Sequence, residues 1–178
     1  MKEELKISKF LFRDTKISFL WFLIRLYLGY EWISAGMGKI ISPAWVGPDA
    51  GSALSGFVNK AVAKSVGEHP DVSAWFAGFL KAVILPQPQF WSHVVAFGEL
   101  AVGIGLILGV FTFAAAFFGG FMNLNYLLAG SVSINPAMLL LSIGLLLAWR
   151  IAGYIGADKY LMPFIGLLLK RKREEVNN

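Results

Sequence analysis

Four long apolar stretches constrain this chain more than any other feature of its sequence. They cover residues 17–41, 91–110, 111–130 and 136–153. A helix needs about 20 residues to cross the roughly 30 Å hydrocarbon core of a bilayer, and each stretch is close to that length. The chain is also 57% hydrophobic and only 15% charged, whereas soluble domains carry about 25% charged residues. The sequence therefore predicts an integral membrane protein.

The connections between the stretches predict how they pack. Gly109 and Thr112 mark a tight turn between the second and third stretches, and residues 130–135 link the third to the fourth, where Pro136 suits a first helical turn. Such short links force neighbouring helices to run antiparallel. We expect an all-α fold, with residues 1–178 forming a single membrane domain built as a four-helix bundle.

The remaining segments are a long connection, residues 42–90, and two tails, residues 1–16 and 154–178. Within the connection, apolar residues recur at helical spacing around Phe57 and again around Phe79. Both patterns are too short to cross a membrane, so they predict two interfacial helices, acting either as a packing cap or as a lid or docking face. Residues 160–169 predict a further interfacial helix in the C-terminal tail.

Positive charge predicts the orientation of these segments. Lysine and arginine concentrate in the two tails, which include Lys2 and the cluster from Lys170 to Arg173, while the connection has only Lys60, Lys64 and Lys81. Because cytoplasmic loops carry the excess of such residues, we expect a multi-pass protein of the cell membrane with both termini cytoplasmic and an uncleaved first span. The net charge of +5 is then explained by topology, and no nucleic-acid partner is expected.

Missing residue types exclude several chemistries. There is no cysteine, and the two histidines, His69 and His93, lie far apart. Cysteine-ligated metals, thiol nucleophiles and disulfides are therefore excluded, and no metal is expected. Either of the two histidines is readily explained as a surface or interface residue.

Ionisable residues inside the apolar stretches are the candidate site, because they are costly in a membrane and usually face a bundle interior. Counted at about 1.5 Å per residue, Glu31, Glu99 and the polar Asn123 fall at one depth, about 12–15 Å from the outer surface, with Arg25 about 24 Å deep. The catalytic candidates are Glu99 and Arg25; the candidates for binding a cofactor are Trp32, Glu31, Lys39, Asn123 and Tyr126.

Two interpretations of this polar layer remain open. Arg25 or Lys39 could simply pair with Glu99 and fix helix register. Alternatively, the layer forms a pocket for a polar head group, with an aromatic wall, hydrogen-bond donors and an exchangeable proton. A quinone head would fit such a pocket, although spacing alone does not select it over another small lipophilic ligand.

Several motifs resemble a known family, in order along most of the chain. They are Arg25-x-x-x-Gly29 with Ala35-Gly36-x-x-Lys39, Phe97-Gly98-Glu99 with Gly103, Gly109 and Thr112, and Gly153-x-x-Gly156-x-Asp158-x-Tyr160-Leu161. Together they resemble the DoxX family. The connection, with Gly51-x-Ala53-Leu54-x-Gly56-Phe57 and Trp75-Phe76-x-x-Phe79-Leu80-x-x-Val83, is similar to the DoxD branch, the membrane subunit of thiosulfate:quinone oxidoreductase.

The resemblance implies a four-span subunit of a quinone-linked oxidoreductase, with thiosulfate as a candidate electron donor and an extracytoplasmic or membrane partner subunit. It also singles out Asp158, which we interpret as a helix-terminal residue or a partner of Arg150. Two other functions stay open: a non-catalytic membrane module that recruits or stabilises partners, and a small transporter. The sequence leaves the oligomeric state open, and a homo-oligomer is compatible with it.

Overall fold

The structure is a computed structural model that describes the backbone of residues 6–176 and the side chains of residues 6–167. Its regular elements are all helical, and residues 6–176 contain no strand, which confirms the predicted all-α class. The nine α-helices of this part of the chain are α1 (Lys6–Arg13), α2 (Ser18–Ile40), α3 (Ser52–Ala63), α4 (Ala74–Phe79), α5 (Pro88–Leu108), α6 (Thr112–Leu128), α7 (Asn135–Leu147), α8 (Trp149–Ala152) and α9 (Asp158–Val176). The predicted tail residue Lys2 and the side chains of the cluster from Lys170 to Arg173 lie outside the described residues.

Helices lie over all four predicted stretches, but they are not equally suited to a bilayer. By length and composition, α5 alone among the helices of residues 6–176 is long and apolar enough to cross a membrane. Helix α2 has 23 residues but includes Arg25, Glu31 and Lys39, while α6 has 17 residues. The fourth stretch is not one continuous helix, because α7 ends at Leu147 and a short α8 follows.

These four helices pack side by side, with α2 against α5 and α7, and α6 against α5 and α7. Their shared interior is apolar and includes Leu28, Trp32, Leu106, Ala116 and Leu145, all nearly inaccessible to solvent. The turn between α5 and α6 is at Gly109, as predicted, where the backbone has a φ of 64° that glycine adopts without strain.

Helices α2 and α5 approach each other closely in this interior. A methyl group added at Gly36 would lie 2.7 Å from the backbone nitrogen of Leu100, and one at Gly103 would lie 2.7 Å from the backbone nitrogen of Ile33. Small residues allow helix backbones to approach in this way. The contact brings Lys39, three residues beyond Gly36, level with Glu99.

We expect Gly36→Ala to separate these helices and lower the free energy of unfolding by about 1–3 kcal/mol, the usual cost of overpacking. Gly38→Ala is the matched control, because nothing lies within 4 Å of a methyl group added there. Thermal unfolding of the two purified variants would test this. A Gly36→Ala protein as stable as Gly38→Ala would contradict the close approach.

The long connection folds into a second apolar cluster at one end of the four helices. Helix α3 and the segment from α4 through a π-helical turn (Leu80–Ile84) pack together, burying Leu54, Val58, Val72 and Phe76. The cluster reaches the end of α6 at Ala129, and Lys64 donates a hydrogen bond of 2.6 Å to the Gly130 carbonyl. The connection is thus fixed to the α6 end by both apolar and polar contacts.

Each tail contains a helix among its described residues. Helix α1, which the sequence analysis did not predict, is held by the Trp21 side chain: Trp21 stacks on Phe12 and its indole nitrogen donates to the Leu11 carbonyl at 2.8 Å. At the other end, α9 includes the predicted interfacial segment and carries Pro163 within it.

Candidate functional site

Three of the predicted site residues meet at a buried carboxylate. Glu99 lies within α5 and is inaccessible to solvent. One of its oxygens accepts a hydrogen bond from the Lys39 ammonium at 2.6 Å, and the other accepts a short hydrogen bond from the Tyr126 hydroxyl. Because these residues come from α2, α5 and α6, the carboxylate joins three helices.

Lys39 is held by more than its ion pair. Its ammonium lies 5.1 Å from the centre of the Trp45 ring and 6.0 Å from that of Tyr126, within the range of cation–π attraction. An ammonium has three N–H donors, and Glu99 is its one acceptor among the described residues. Lys39 therefore keeps donor capacity for a further polar group.

A cavity of about 470 Å³ opens beside this group. That volume falls in the usual range for small-molecule pockets, about 300–1,000 Å³. Its walls come from the second half of α2, from the connection, from the link between α6 and α7, from single positions on α5 and α6, and from the start of α7. The lining residues that carry the argument are Glu31, Trp32, Lys39, Trp45, Phe57, Glu99 and Tyr126.

Glu31 gives this cavity a second acid. The residue is half-buried and lines the cavity, and within residues 6–167 its carboxylate has no hydrogen bond or ion pair. Glu99 and Glu31 therefore differ in environment: the first is fully bonded and buried, and the second is unpaired and partly accessible.

Asn123 lies beside the cavity without lining it. It is buried on α6, one turn before Tyr126, and neither its amide nitrogen nor its carbonyl oxygen has a partner. The Trp32 indole nitrogen and the Ser142 hydroxyl are also buried and unpaired. Buried polar groups without partners are uncommon in folded proteins, and these three occur on neighbouring helices.

Arg25 lies elsewhere. Its guanidinium donates to the Ala152 carbonyl at 2.8 Å and to the Ile155 carbonyl at 2.7 Å, and it packs against Gly109 and Gly156. Gly109 follows Glu99 by about 15 Å along the α5 axis. The structure does not bring this guanidinium to the polar layer: the two carbonyls that accept its hydrogen bonds are at the opposite end of the helices, and its Nε is buried without a partner among residues 6–167. Of the two predicted ion pairs with Glu99, the structure contains the one with Lys39.

Asp158 acts at the same end as Arg25. Its two carboxylate oxygens accept hydrogen bonds from the backbone amides of Phe111, at 2.7 Å, and Thr112, at 2.8 Å. A carboxylate is favourable at a helix N-terminus, where amides are unpaired. Asp158 is thus the helix-terminal residue that the sequence suggested, at the start of α6; Arg150 instead lies over the Trp149 ring.

The cavity walls that come from the connection were not predicted from the sequence. Trp45 stands over Lys39, and Phe57 meets the Tyr126 ring edge-on with centroids 6.1 Å apart. Neither has a local signal for a site, since both are single aromatic residues in an apolar chain. His93 is not in the cavity lining; it contacts the Gln89 carbonyl and stacks on Phe97.

Comparison with known protein families identifies the family of this chain. The family profile named DoxX matches residues 20–132, a range that contains Lys39, Glu99 and Tyr126. No curated protein and no solved structure gives a significant match. The DoxX family is membrane-associated. Since the profile covers more than half of the chain, this protein belongs to the DoxX family.

Proposed function

We propose that this protein spans the membrane four times, with α2, α5, α6 and the α7–α8 pair as its spans. The outer faces of these helices carry large apolar side chains that are about half exposed or more, among them Phe97, Leu108, Phe121 and Leu140. Soluble monomers rarely expose apolar surface on that scale. Lipid contact explains it, and family membership supports it.

We also propose that both termini are cytoplasmic and that the connection lies on the extracytoplasmic side of the cell membrane. Cysteines introduced at Val66, in the connection, and Tyr160, in α9, would test this on a chain with no native cysteine. Both positions are about three-quarters exposed. A membrane-impermeant thiol reagent added to intact cells is expected to label Val66→Cys and spare Tyr160→Cys. The reverse pattern would overturn the orientation. Equal labelling of both would place the connection and α9 on the same side of the membrane and so overturn the proposed three spans between them.

We propose that the cavity binds a quinone head group and that the protein is the membrane subunit of a quinone-linked oxidoreductase. The observation that carries this proposal is the Glu99 carboxylate, bonded to Lys39 and Tyr126 beside an aromatic-lined cavity. The residues fit the group. Trp32, Trp45 and Phe57 offer apolar walls for a ring, and the spare donors of Lys39 suit a carbonyl oxygen.

The chemistry expected of these residues is hydrogen bonding and proton exchange. A quinone, when bound, accepts two electrons and two protons. Lys39 would donate one of its spare N–H groups to a carbonyl oxygen at the cavity wall. Glu99 fixes both Lys39 and Tyr126, whose only O–H is donated to Glu99 and whose ring lines the cavity. Glu31 is the acid through which a proton can pass to or from the partly open side. Asn123 and the Trp32 indole nitrogen supply further polar groups behind the wall.

We propose that electrons reach this cavity from another protein, since the chain has no cysteine for an iron–sulfur cluster or a redox-active disulfide. We propose a partner subunit at the outer face, where Trp45 and the connection close the cavity. The resemblance of the connection to the DoxD branch makes thiosulfate the first donor to test. Thiosulfate-dependent quinone reduction in membranes with and without this protein, at matched levels of other respiratory proteins, would test the donor separately from quinone binding.

Tryptophan fluorescence offers a direct test of the pocket. Quinones quench nearby indoles, and Trp32 and Trp45 line the cavity. A short-chain quinone titrated into protein in lipid nanodiscs is expected to quench saturably. Trp45→Phe should remove part of the quenching, whereas Trp75→Phe, at an exposed site outside the cavity lining, should not. Quenching that rises linearly without saturation would count against a site.

The alternative is a non-catalytic membrane module that stabilises or recruits partners. It is favoured by one observation: the Glu99 cluster links three helices and could serve only as a structural cross-link. In that case substitution of Glu99 would lower protein abundance and leave quinone-dependent quenching in the remaining protein unchanged.

A further inference from the structure

A larger cleft lies at the opposite end of the helices from the Glu99 cavity. Its volume is about 860 Å³, and it runs between the start of α6 and the segment from α8 into α9. Most of its wall is apolar, with Phe111, Phe113 and Met162 each about half exposed. Nothing in the quinone proposal uses this cleft.

Two cations stand on this wall. Arg150 and Lys159 line the cleft and are exposed, and each lies over an aromatic ring, 5.1 Å from Trp149 and 5.2 Å from Tyr154 respectively. Within residues 6–167 neither is close enough to a carboxylate to form a salt bridge. The aromatic rings hold the two side chains in place without neutralising their charge.

The one acid in the cleft lining is already satisfied. Asp158 gives both oxygens to the backbone amides of Phe111 and Thr112 and lies close enough to Arg25 for electrostatic attraction. The buried charge of Asp158 is thus offset, and the two exposed cations determine the character of the cleft. Tryptophan and tyrosine beside basic residues are typical of the level where lipid head groups lie.

We propose that this cleft binds one anionic phospholipid, with its phosphate held by Arg150 and Lys159 and an acyl chain along Phe111, Phe113 and Met162. A free phosphate ion would use the two cations but not the apolar wall, which is why we favour a lipid. The proposal rests on the proposed membrane placement and is independent of quinone binding.

Native mass spectrometry of the full chain released from mixed nanodiscs would test this. The nanodiscs contain phosphatidylglycerol and phosphatidylcholine, and the lipid retained on the protein is counted. Each basic residue near a membrane surface attracts anionic lipid by an amount that corresponds to about a fivefold change in affinity. Retention of phosphatidylglycerol is expected to fall about fivefold in Arg150→Gln or Lys159→Gln and about twenty-fivefold in the double variant. The double control Lys60→Gln with Lys81→Gln, at exposed positions in the connection, should retain it fully.

A double variant that preserves both charges, Arg150→Lys with Lys159→Arg, should retain the lipid. This control separates loss of charge from misfolding caused by substitution at these two positions. Three results would overturn the proposal: equal retention in the glutamine double variant and its control, equal retention of the two lipids, or binding of inorganic phosphate in detergent as tight as that of the lipid. The Val66 and Tyr160 labelling tests the membrane placement separately, so its failure is distinguishable from an absent lipid site.

Discussion

Replacement of Glu99 by glutamine is expected to weaken quinone binding by about 10- to 100-fold. A hydrogen bond to a charged group contributes about 1.5–3 kcal/mol, and each 1.4 kcal/mol is about tenfold in affinity. The amide is close in shape to the carboxylate but cannot neutralise Lys39 at the cavity wall. Lys39 and Tyr126 would then lose the group that sets their positions.

The measurement is the midpoint of the saturable fluorescence quenching in nanodiscs, compared at equal amounts of folded protein. Glu31→Gln is the matched control for charge, because Glu31 lines the same cavity but has no bond to Lys39 or Tyr126. Its binding midpoint is expected to shift by less than about threefold, because no hydrogen bond to a charged group is lost in this variant. An unchanged midpoint in Glu99→Gln would favour the structural cross-link and the non-catalytic module.

Replacement of Arg25 by methionine is expected to affect stability instead. The guanidinium is fully buried and bonded to the carbonyls of Ala152 and Ile155. Breaking a buried charged interaction from one side costs about 3–5 kcal/mol, and here it would leave two carbonyls and the Asp158 carboxylate without a cation. We expect a lower unfolding temperature in detergent and a lower level in the membrane.

The folded fraction of Arg25→Met should still bind quinone with the wild-type midpoint, because the guanidinium lies at the opposite end of the helices from the cavity. Lys60→Met, at an exposed site on α3, is the control for loss of a positive charge and should leave the unfolding temperature unchanged. A stable Arg25→Met protein with weakened quinone binding would show that the sequence-based catalytic assignment of Arg25 was the better one.

Arg25 and Lys39 show which part of the site could be predicted from the sequence. Helical spacing places both residues on one stripe of α2, and either could have reached Glu99. The choice depends on which partners other segments bring to each end of the stripe. At the Arg25 end these are the carbonyls of Ala152 and Ile155, which are more than 120 residues away in the chain, and no local pattern contains that information.

The connection shows the same limit. The periodicity around Phe57 and Phe79 predicted two short helices, and the structure has helical segments there. What the pattern could not reveal is that the Lys39 ammonium lies over the Trp45 ring or that Phe57 meets Tyr126, because these contacts depend on how the connection folds back onto α2 and α6. Helix α1 was missed because basic and apolar residues are mixed over only eight positions, and we interpreted the segment as part of a charged tail.

Cross-linking with a photoreactive quinone analogue tests most directly whether a quinone head group binds beside Glu99. Cross-linked peptides from protein in nanodiscs, identified by mass spectrometry, are expected to map to the α2 segment from Trp32 to Lys39, to Trp45 and to the link between α6 and α7. An excess of unlabelled quinone should remove these cross-links, and Glu99→Gln should reduce them. Cross-links spread over the lipid-facing side chains of α5 and α6, unaffected by competing quinone, would contradict the claim.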